Sequence, residues 1–342
     1  MRARLSITNS HRLSGLETAD VYGALAHVME QDLPLQFTQM LDEFMLDEFQ
    51  EIDPNFSFKY WGMSSSFGAQ VNLLSLAVRL GIYKSVSLLL DRGANINAVA
   101  DDYGTALGAA AASRGRKDIL SLLLDRGADI HALGGKYGTA LATAANEGNN
   151  EILLLLLERG ADINAIGGVY GTALATAANQ GNKKFLLLLL DRGADINAAG
   201  GWYGTALATT ANQGDKENVL LLLNRGADIN ALAGEYGTAL ATTANKGNRE
   251  IVLQLLDRAA NINAAGGKYG TALAIATYRR EKDIVSLLLD RGADINAVGG
   301  RYGTALATAV HEGNNDNLLL LLDRGVDINA VSVLLVLSET LL

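Results

Sequence analysis

The sequence predicts an all-α solenoid of about eight helix-turn-helix repeats, and two observations carry that prediction. First, a Tyr-Gly-Thr-Ala-Leu run begins at Tyr103, Tyr137, Tyr170, Tyr203, Tyr236, Tyr269 and Tyr302, a spacing of 34 once and 33 five times. A fixed period near 33 belongs to stacked units that bury their apolar faces only against their neighbours. Second, each period holds two helical stretches of unlike composition, one rich in alanine and one in leucine, separated by glycine.

The unit from Tyr137 shows the elements in order. Thr139 offers a capping hydroxyl to a short helix over 140–146, whose small side chains allow close approach to neighbours. Gly148 ends it. The apolar run 152–157 predicts a longer second helix that stops at Arg159-Gly160, where glycine takes a left-handed conformation and arginine suits the negative helix end. An Ala-Asp-Ile-Asn-Ala turn and Gly167-Gly168 then lead to the next tyrosine. Helix packing spaces repeats on the order of 10 Å apart, so the tyrosines are expected to wedge between loops rather than stack ring on ring.

These residues resemble the ankyrin repeat in the capping threonine, the glycine between helices and the Gly-Ala-Asp-Ile-Asn-Ala ending. That ending recurs with small changes at Gly93, Gly127, Gly160, Gly193, Gly226, Gly292 and Gly325. The resemblance covers roughly 70–331. Alanine stands where the family has proline and alanine or glycine where it has histidine, as at Ala140 and Ala142, so the family's Thr-His brace of the helix start is expected to be missing. The Gly-Gly-x-Tyr-Gly-Thr loop is similar to ankyrin arrays common in fungi, including those attached to nucleotide-switch sensors. The resemblance implies a non-catalytic protein-binding scaffold in the cytoplasm or nucleus; the alternative is a structural array or fragment of such a sensor with no ligand of its own.

The division expected is an acidic helical segment over 1–66, a repeat array over 67–331 and an apolar tail or cap over 332–342. The first segment holds four Lys or Arg against ten Asp or Glu and both prolines, Pro34 and Pro54. Helices are expected over 18–31 and 35–50. In the second, Leu41, Phe44, Met45 and Phe49 recur at helical spacing among Asp42, Glu43, Asp47 and Glu48, which fits either a docked amphipathic helix or a detachable one that binds a partner. Intramolecular docking of 1–66 onto the array is therefore one expected arrangement. The stretch 70–98 aligns as a first repeat without Tyr-Gly-Thr.

There is no cysteine, the net charge is −9, and no run approaches the roughly 20 apolar residues of a membrane span. A nucleic-acid partner is not expected, because the chain is acidic and lacks a basic aromatic platform. His11, His27, His131 and His311 fall at unrelated places without metal-ligand spacing, so surface or turn positions are expected for them. No catalytic set, metal or cofactor is expected. The glycine loop imitates a phosphate cradle, but its repetition at fixed period reads as a structural turn. Asn55-Phe-Ser57 is a lone sequon.

Against this constant background two columns vary. The residue before each loop tyrosine reads Asp102, Lys136, Val169, Trp202, Glu235, Lys268 and Arg301; the residue before the inter-helix glycine includes Lys246 and Arg279. In the family these columns line the concave groove, so the partner-binding residues expected are Lys136, Val169, Trp202, Glu235, Lys246, Lys268, Arg279 and Arg301. Val169 and Trp202 suit an apolar anchor, and the basic residues beyond them suit acids following it. Solvated positions free to drift are the plainer account. A second candidate contact lies on the convex side, where Leu154, Leu187, Leu220 and Leu253 hold a place that the family usually gives to a polar residue. The weakest joint is expected between Asp257 and Asp283, because Ala259 and Arg280 replace the two glycines there.

Overall fold

The computed structural model describes residues 55, 57–60, 69–100, 102–113, 116–232 and 234–329. The expected helices over 18–31 and 35–50, and the tail over 332–342, lie outside the described residues. The chain divides into two compact units, Met1–Ile96 and Asn97–Leu342.

In the first unit, β1 (Ser57–Tyr60) and β2 (Ala69–Asn72) pair antiparallel, with Ser57 opposite Asn72 and Tyr60 opposite Ala69. This hairpin adds strands to a stretch whose sequence reading contained none. β2 runs directly into α1 (Leu73–Leu80), which is followed by α2 (Tyr83–Asp91). With no Tyr-Gly-Thr turn before it, α1 is capped by Asn72, whose Oδ1 accepts the Ser75 N–H at 2.7 Å. Asn55 is structural as well: its Oδ1 accepts the Asn95 N–H at 2.7 Å.

The second unit holds seven helix pairs. They are α3 (Ala106–Ala112) with α4 (Lys117–Asp125), α5 (Ala140–Glu147) with α6 (Asn150–Glu158), α7 (Ala173–Asn179) with α8 (Lys183–Asp191), and α9 (Ala206–Gln213) with α10 (Lys216–Asn224). They continue as α11 (Ala239–Lys246) with α12 (Arg249–Asp257), α13 (Ala272–Tyr278) with α14 (Lys282–Asp290), and α15 (Ala305–His311) with α16 (Asn315–Asp323). Every first helix in this unit starts on the threonine of Tyr-Gly-Thr. Thr105, Thr139, Thr172, Thr205, Thr238, Thr271 and Thr304 each accept the N–H three residues on, at 3.0 to 3.2 Å. Such a cap contributes about 1 kcal/mol. In place of the Thr-His brace, a second threonine (Thr143, Thr176, Thr209, Thr242 or Thr308) donates its hydroxyl to the capping residue's carbonyl at 2.9 Å.

The two helices of a pair have different work. Alanines bury the first helices almost completely and let them pack closely on one another, whereas the second helices touch far less from pair to pair. The core lies between the two rows, where Ile119, Leu120, Leu123, Ile152, Leu153 and Leu156 are fully buried. Beyond the second helices, an asparagine ties each unit to the next. The Oδ1 atoms of Asn97, Asn164, Asn197, Asn230, Asn263 and Asn296 accept the N–H of the residue 31 or 32 further on, at 2.7 to 3.0 Å. His131 occupies the same place in the pattern, and among the described residues it supplies no such bond to Asp162. Four ion pairs run parallel to this row, Arg159–Asp125, Arg225–Asp191, Arg291–Asp257 and Arg324–Asp290, at 2.8 to 3.1 Å. All are open to solvent, so each contributes at most about 1 kcal/mol.

The expected weak joint is visible in the backbone. Ala259 at φ 62° and Arg280 at φ 65° are the two non-glycine residues with positive φ among the described residues. Neither turn has relaxed, because each still delivers its N–H to the helix end, Ala259 to Leu256 O and Arg280 to Thr277 O. A Cβ in the left-handed region costs on the order of 1 kcal/mol. Arg280 recovers part of this by donating from Nη2 to Glu312 O at 2.6 Å. Ala259→Gly is therefore expected to stabilise the array by about 0.5–1 kcal/mol, and Arg280→Gly by less. Urea unfolding checks both; a midpoint that falls for Ala259→Gly contradicts the strain.

Candidate functional site

The site begins with glycines that permit close approach of successive loops. A Cβ on Gly138 would lie 2.2 Å from the carbonyl carbon of Gly167, and one on Gly168 would lie 2.3 Å from that of Tyr137. With the glycines bare, the variable residue before each tyrosine joins its counterparts through the backbone. Lys136 N–H donates to Asp102 O, Val169 to Lys136, Trp202 to Val169, Glu235 to Trp202, Lys268 to Glu235 and Arg301 to Lys268, at 2.7 to 2.8 Å throughout. The first expected column is thus one hydrogen-bonded ladder with one rung per repeat.

The ladder corrects the expectation for the tyrosines. Three neighbouring pairs stack: the ring centroids of Tyr137 and Tyr170 are 6.4 Å apart, those of Tyr203 and Tyr236 6.4 Å, and those of Tyr236 and Tyr269 5.8 Å, with planes within 13–19°. The 10 Å spacing applies to packed helices, whereas the loops are drawn together by their own backbone bonds into the offset-stacking range. Towards the far end the stack incorporates the first helices. Tyr278 lies 4.8 Å from Tyr269 and 6.2 Å from Tyr302, and His311 lies 4.3 Å from Tyr302. His311 is thus a surface residue with a definite seat, its Nδ1 3.0 Å from Glu312 Oε1. Tyr278 and His311 were missed from sequence. Their signal was a column reading Asn146, Asn179, Asn212, Asn245 and then Tyr278 and His311 at the same period.

The stacked rings lie between the loop ladder and the ends of the first helices. Tyr203 meets the side chain of Asn212 near the end of α9, just as Tyr269 and Tyr302 meet Tyr278 and His311. The loop cations lie over these rings: Lys136 Nζ is 5.4 Å from the Tyr137 centroid, Lys268 Nζ 5.3 Å from Tyr269 and Arg301 Cζ 5.6 Å from Tyr302. Lys268 is also paired with Glu235 at 3.4 Å. Val169 and Trp202 are adjacent rungs, 42% and 54% exposed. On the second column, Lys246 and Arg279 are exposed at the ends of α11 and α13, and Arg279 Nε donates to Asn245 O at 3.2 Å. No bond joins them to the loop ladder among the described residues. The leucines Leu154, Leu187, Leu220 and Leu253 are on the second helices and half-buried. A further row was not anticipated. Leu133, Ile166, Leu232 and Val298 are exposed on the loops, and Ile166 and Leu232 overlie the glycine of the next loop so closely that a Cβ there would meet them at 2.6 Å.

The loop amides that a phosphate would need already donate to neighbouring carbonyls, as Gly134 does to Gly138 and Lys136 to Asp102. Among the described residues no group of three or more His, Cys, Asp or Glu side chains could hold a metal ion, and no helix is long and apolar enough to cross a membrane.

A family model described as ankyrin repeats in three copies matches residues 74–167, 133–200, 206–299 and 240–332, well over half of the chain. The chain belongs to the ankyrin-repeat family. Ankyrin repeats are in general protein-protein interaction modules and typically non-catalytic. A search of the curated proteins finds none that matches.

The ankyrin tyrosine stack carries its own pH signature. Burial raises the phenol pKa of Tyr203, Tyr269 and Tyr302, and neighbouring phenols add to it; the Asn212 bond, Lys268 and Arg301 oppose the shift at Tyr203, Tyr269 and Tyr302 respectively. A phenol raised in the folded state keeps its full stabilisation below its unfolded pKa of about 10 and loses it as pH rises through the folded value. The urea midpoint is expected to fall as pH is raised above about 10, and to fall less when these three tyrosines become phenylalanine. Equal slopes in both proteins contradict a contribution from the phenols.

Proposed function

We propose that this chain is a scaffold whose concave groove, floored by the tyrosine stack, takes an extended segment of a partner protein. The observation that carries the reading is Trp202: a tryptophan 54% exposed on a loop held by backbone bonds on both sides, at a place with no core to fill. Tryptophan is among the residues most often found as the energetic anchor of an interface. With Val169 on the neighbouring rung it offers an apolar seat. Lys246, Arg279 and Arg301 follow as basic residues, while the positive charge of Lys268 is offset by Glu235. The partner segment fitted to this order has a bulky apolar side chain followed by acids. A purely structural array, or a piece of a larger sensor such as the glycine-loop resemblance suggests, would leave the two columns freely exchangeable.

The test is recovery of binding proteins on the full chain and on Trp202→Ala, followed by titration of the partner. Trp202→Ala keeps the rung's backbone bonds and is expected to weaken the partner by about 2 kcal/mol or more. Arg301→Ala is expected mainly to slow association and to reduce its salt dependence. An affinity indifferent to Trp202 contradicts the groove.

A further inference from the structure

The groove above leaves the opposite side of the array unused, and that side is not built as an inert surface. Between α6 and α8, two second helices, lies an open groove of about 690 Å³. It exists because the alanine-rich first helices pack closely and the leucine-rich second helices do not. Its floor is apolar, formed by Leu154 from α6 and by Leu187 and Leu188 from α8. Its edge is charged, and the charges do not cancel. Lys183 is engaged by Glu217 at 3.4 Å, and Asp191 is engaged by Arg225 at 3.1 Å. Lys184 and Arg192 also line the groove and have no ion-pair partner among the described residues. An oily floor with two uncompensated cations beside it is a surface with a defined complement.

We propose that this convex groove binds an acidic amphipathic helix of another protein, with apolar side chains one turn apart against Leu154, Leu187 and Leu188 and carboxylates against Lys184 and Arg192. The length fits: α8 has nine residues, about 13 Å at 1.5 Å per residue, which accommodates roughly two turns of an inserted helix. Helix-in-groove recognition uses such i, i+3, i+4 and i+7 anchors. A second copy offering the same groove fits poorly. A two-fold contact would set Lys184 and Arg192 of one copy against the same basic edge of the other. The site is independent of the concave groove and shares no residue with it.

The test titrates a fluorescent designed peptide, an amphipathic helix with leucines at i, i+3, i+4 and i+7 and glutamates on the flanking positions, into the full chain. Saturable binding is expected, weakened about tenfold by Leu187→Glu, weakened severalfold and made less salt-sensitive by the fully surface change Lys184→Glu, and unchanged by Trp202→Ala. Lys184→Glu keeps the test decisive if Leu187→Glu disturbs the fold. Binding that ignores both groove changes, that is lost with Trp202→Ala, or that never saturates overturns the proposal. So does binding seen only when Phe44 and Phe49 of the chain are themselves changed to Glu, which would make the chain's own stretch the occupant. A concentration-dependent dimer abolished by Leu187→Glu would make it a second copy.

Discussion

The closeness of successive loops is the constraint on which the rest of the array depends. Glycines in the loops, two in each from Gly135 and Gly138 onward, remove the Cβ atoms that would collide with a neighbouring loop, as at Gly138 against Gly167, and the backbone bonds from Lys136 through Arg301 follow from that approach. Once the loops are drawn together, neighbouring tyrosines come within stacking range, as Tyr236 and Tyr269 do, and Lys136, Lys268 and Arg301 lie over their own loop's ring. A single methyl group on one of these glycines would break a rung and separate two rings. The loop sequence is therefore repeated for steric reasons, and the residue before the tyrosine is free to vary because only its backbone takes part in the ladder.

That division between a constant frame and a variable side chain is what the proposed binding site rests on. The rung holds Trp202 by its N–H and its carbonyl, so the indole is presented on an ordered loop, and the proposed binding would cost little backbone freedom there. The frame is also tied at other levels, by the asparagine row beyond the second helices and by the threonine caps, so no single contact determines the register of the stack. In a quasi-one-dimensional array each such tie acts only between neighbours. Local weaknesses, such as His131 in place of an asparagine or Ala259 in place of a glycine, remain local.

Much of this was legible in the sequence because it is covalent geometry or local capping. The period located the pairs, threonine before an alanine run located the helix starts, and the missing glycines at 259 and 280 located the strained turns, each observed at positive φ. The features that escaped depend on distances between loops, and one-dimensional spacing does not contain them. Tyrosine stacking was misjudged because a helix-packing distance was applied to segments held by hydrogen bonds. The asparagine row looked like turn chemistry within a repeat, since the bonds it makes reach 31 or 32 residues ahead. The β1–β2 hairpin escaped because it occurs once, and Asn55, read as part of a lone sequon, proved to accept a backbone N–H 40 residues away. At the candidate site the variable residues stand out by their variation, but their ladder, the pairing of Lys268 with Glu235 and the seats of Tyr278 and His311 depend on distances between repeats.

The central claim is that the loop residues from Lys136 to Arg301, one in each successive repeat, are bonded to their neighbours as firmly as residues in a helix. Native-state amide hydrogen exchange, resolved at Val169, Trp202, Glu235 and Lys268, tests it most directly. These amides are exposed in sequence terms and far from any helix interior, yet the account predicts protection comparable with that of the buried first helices, with loss of protection only on unfolding of the adjoining repeats. Exchange at these four amides at the rate of an open loop, while the helices remain protected, would contradict it.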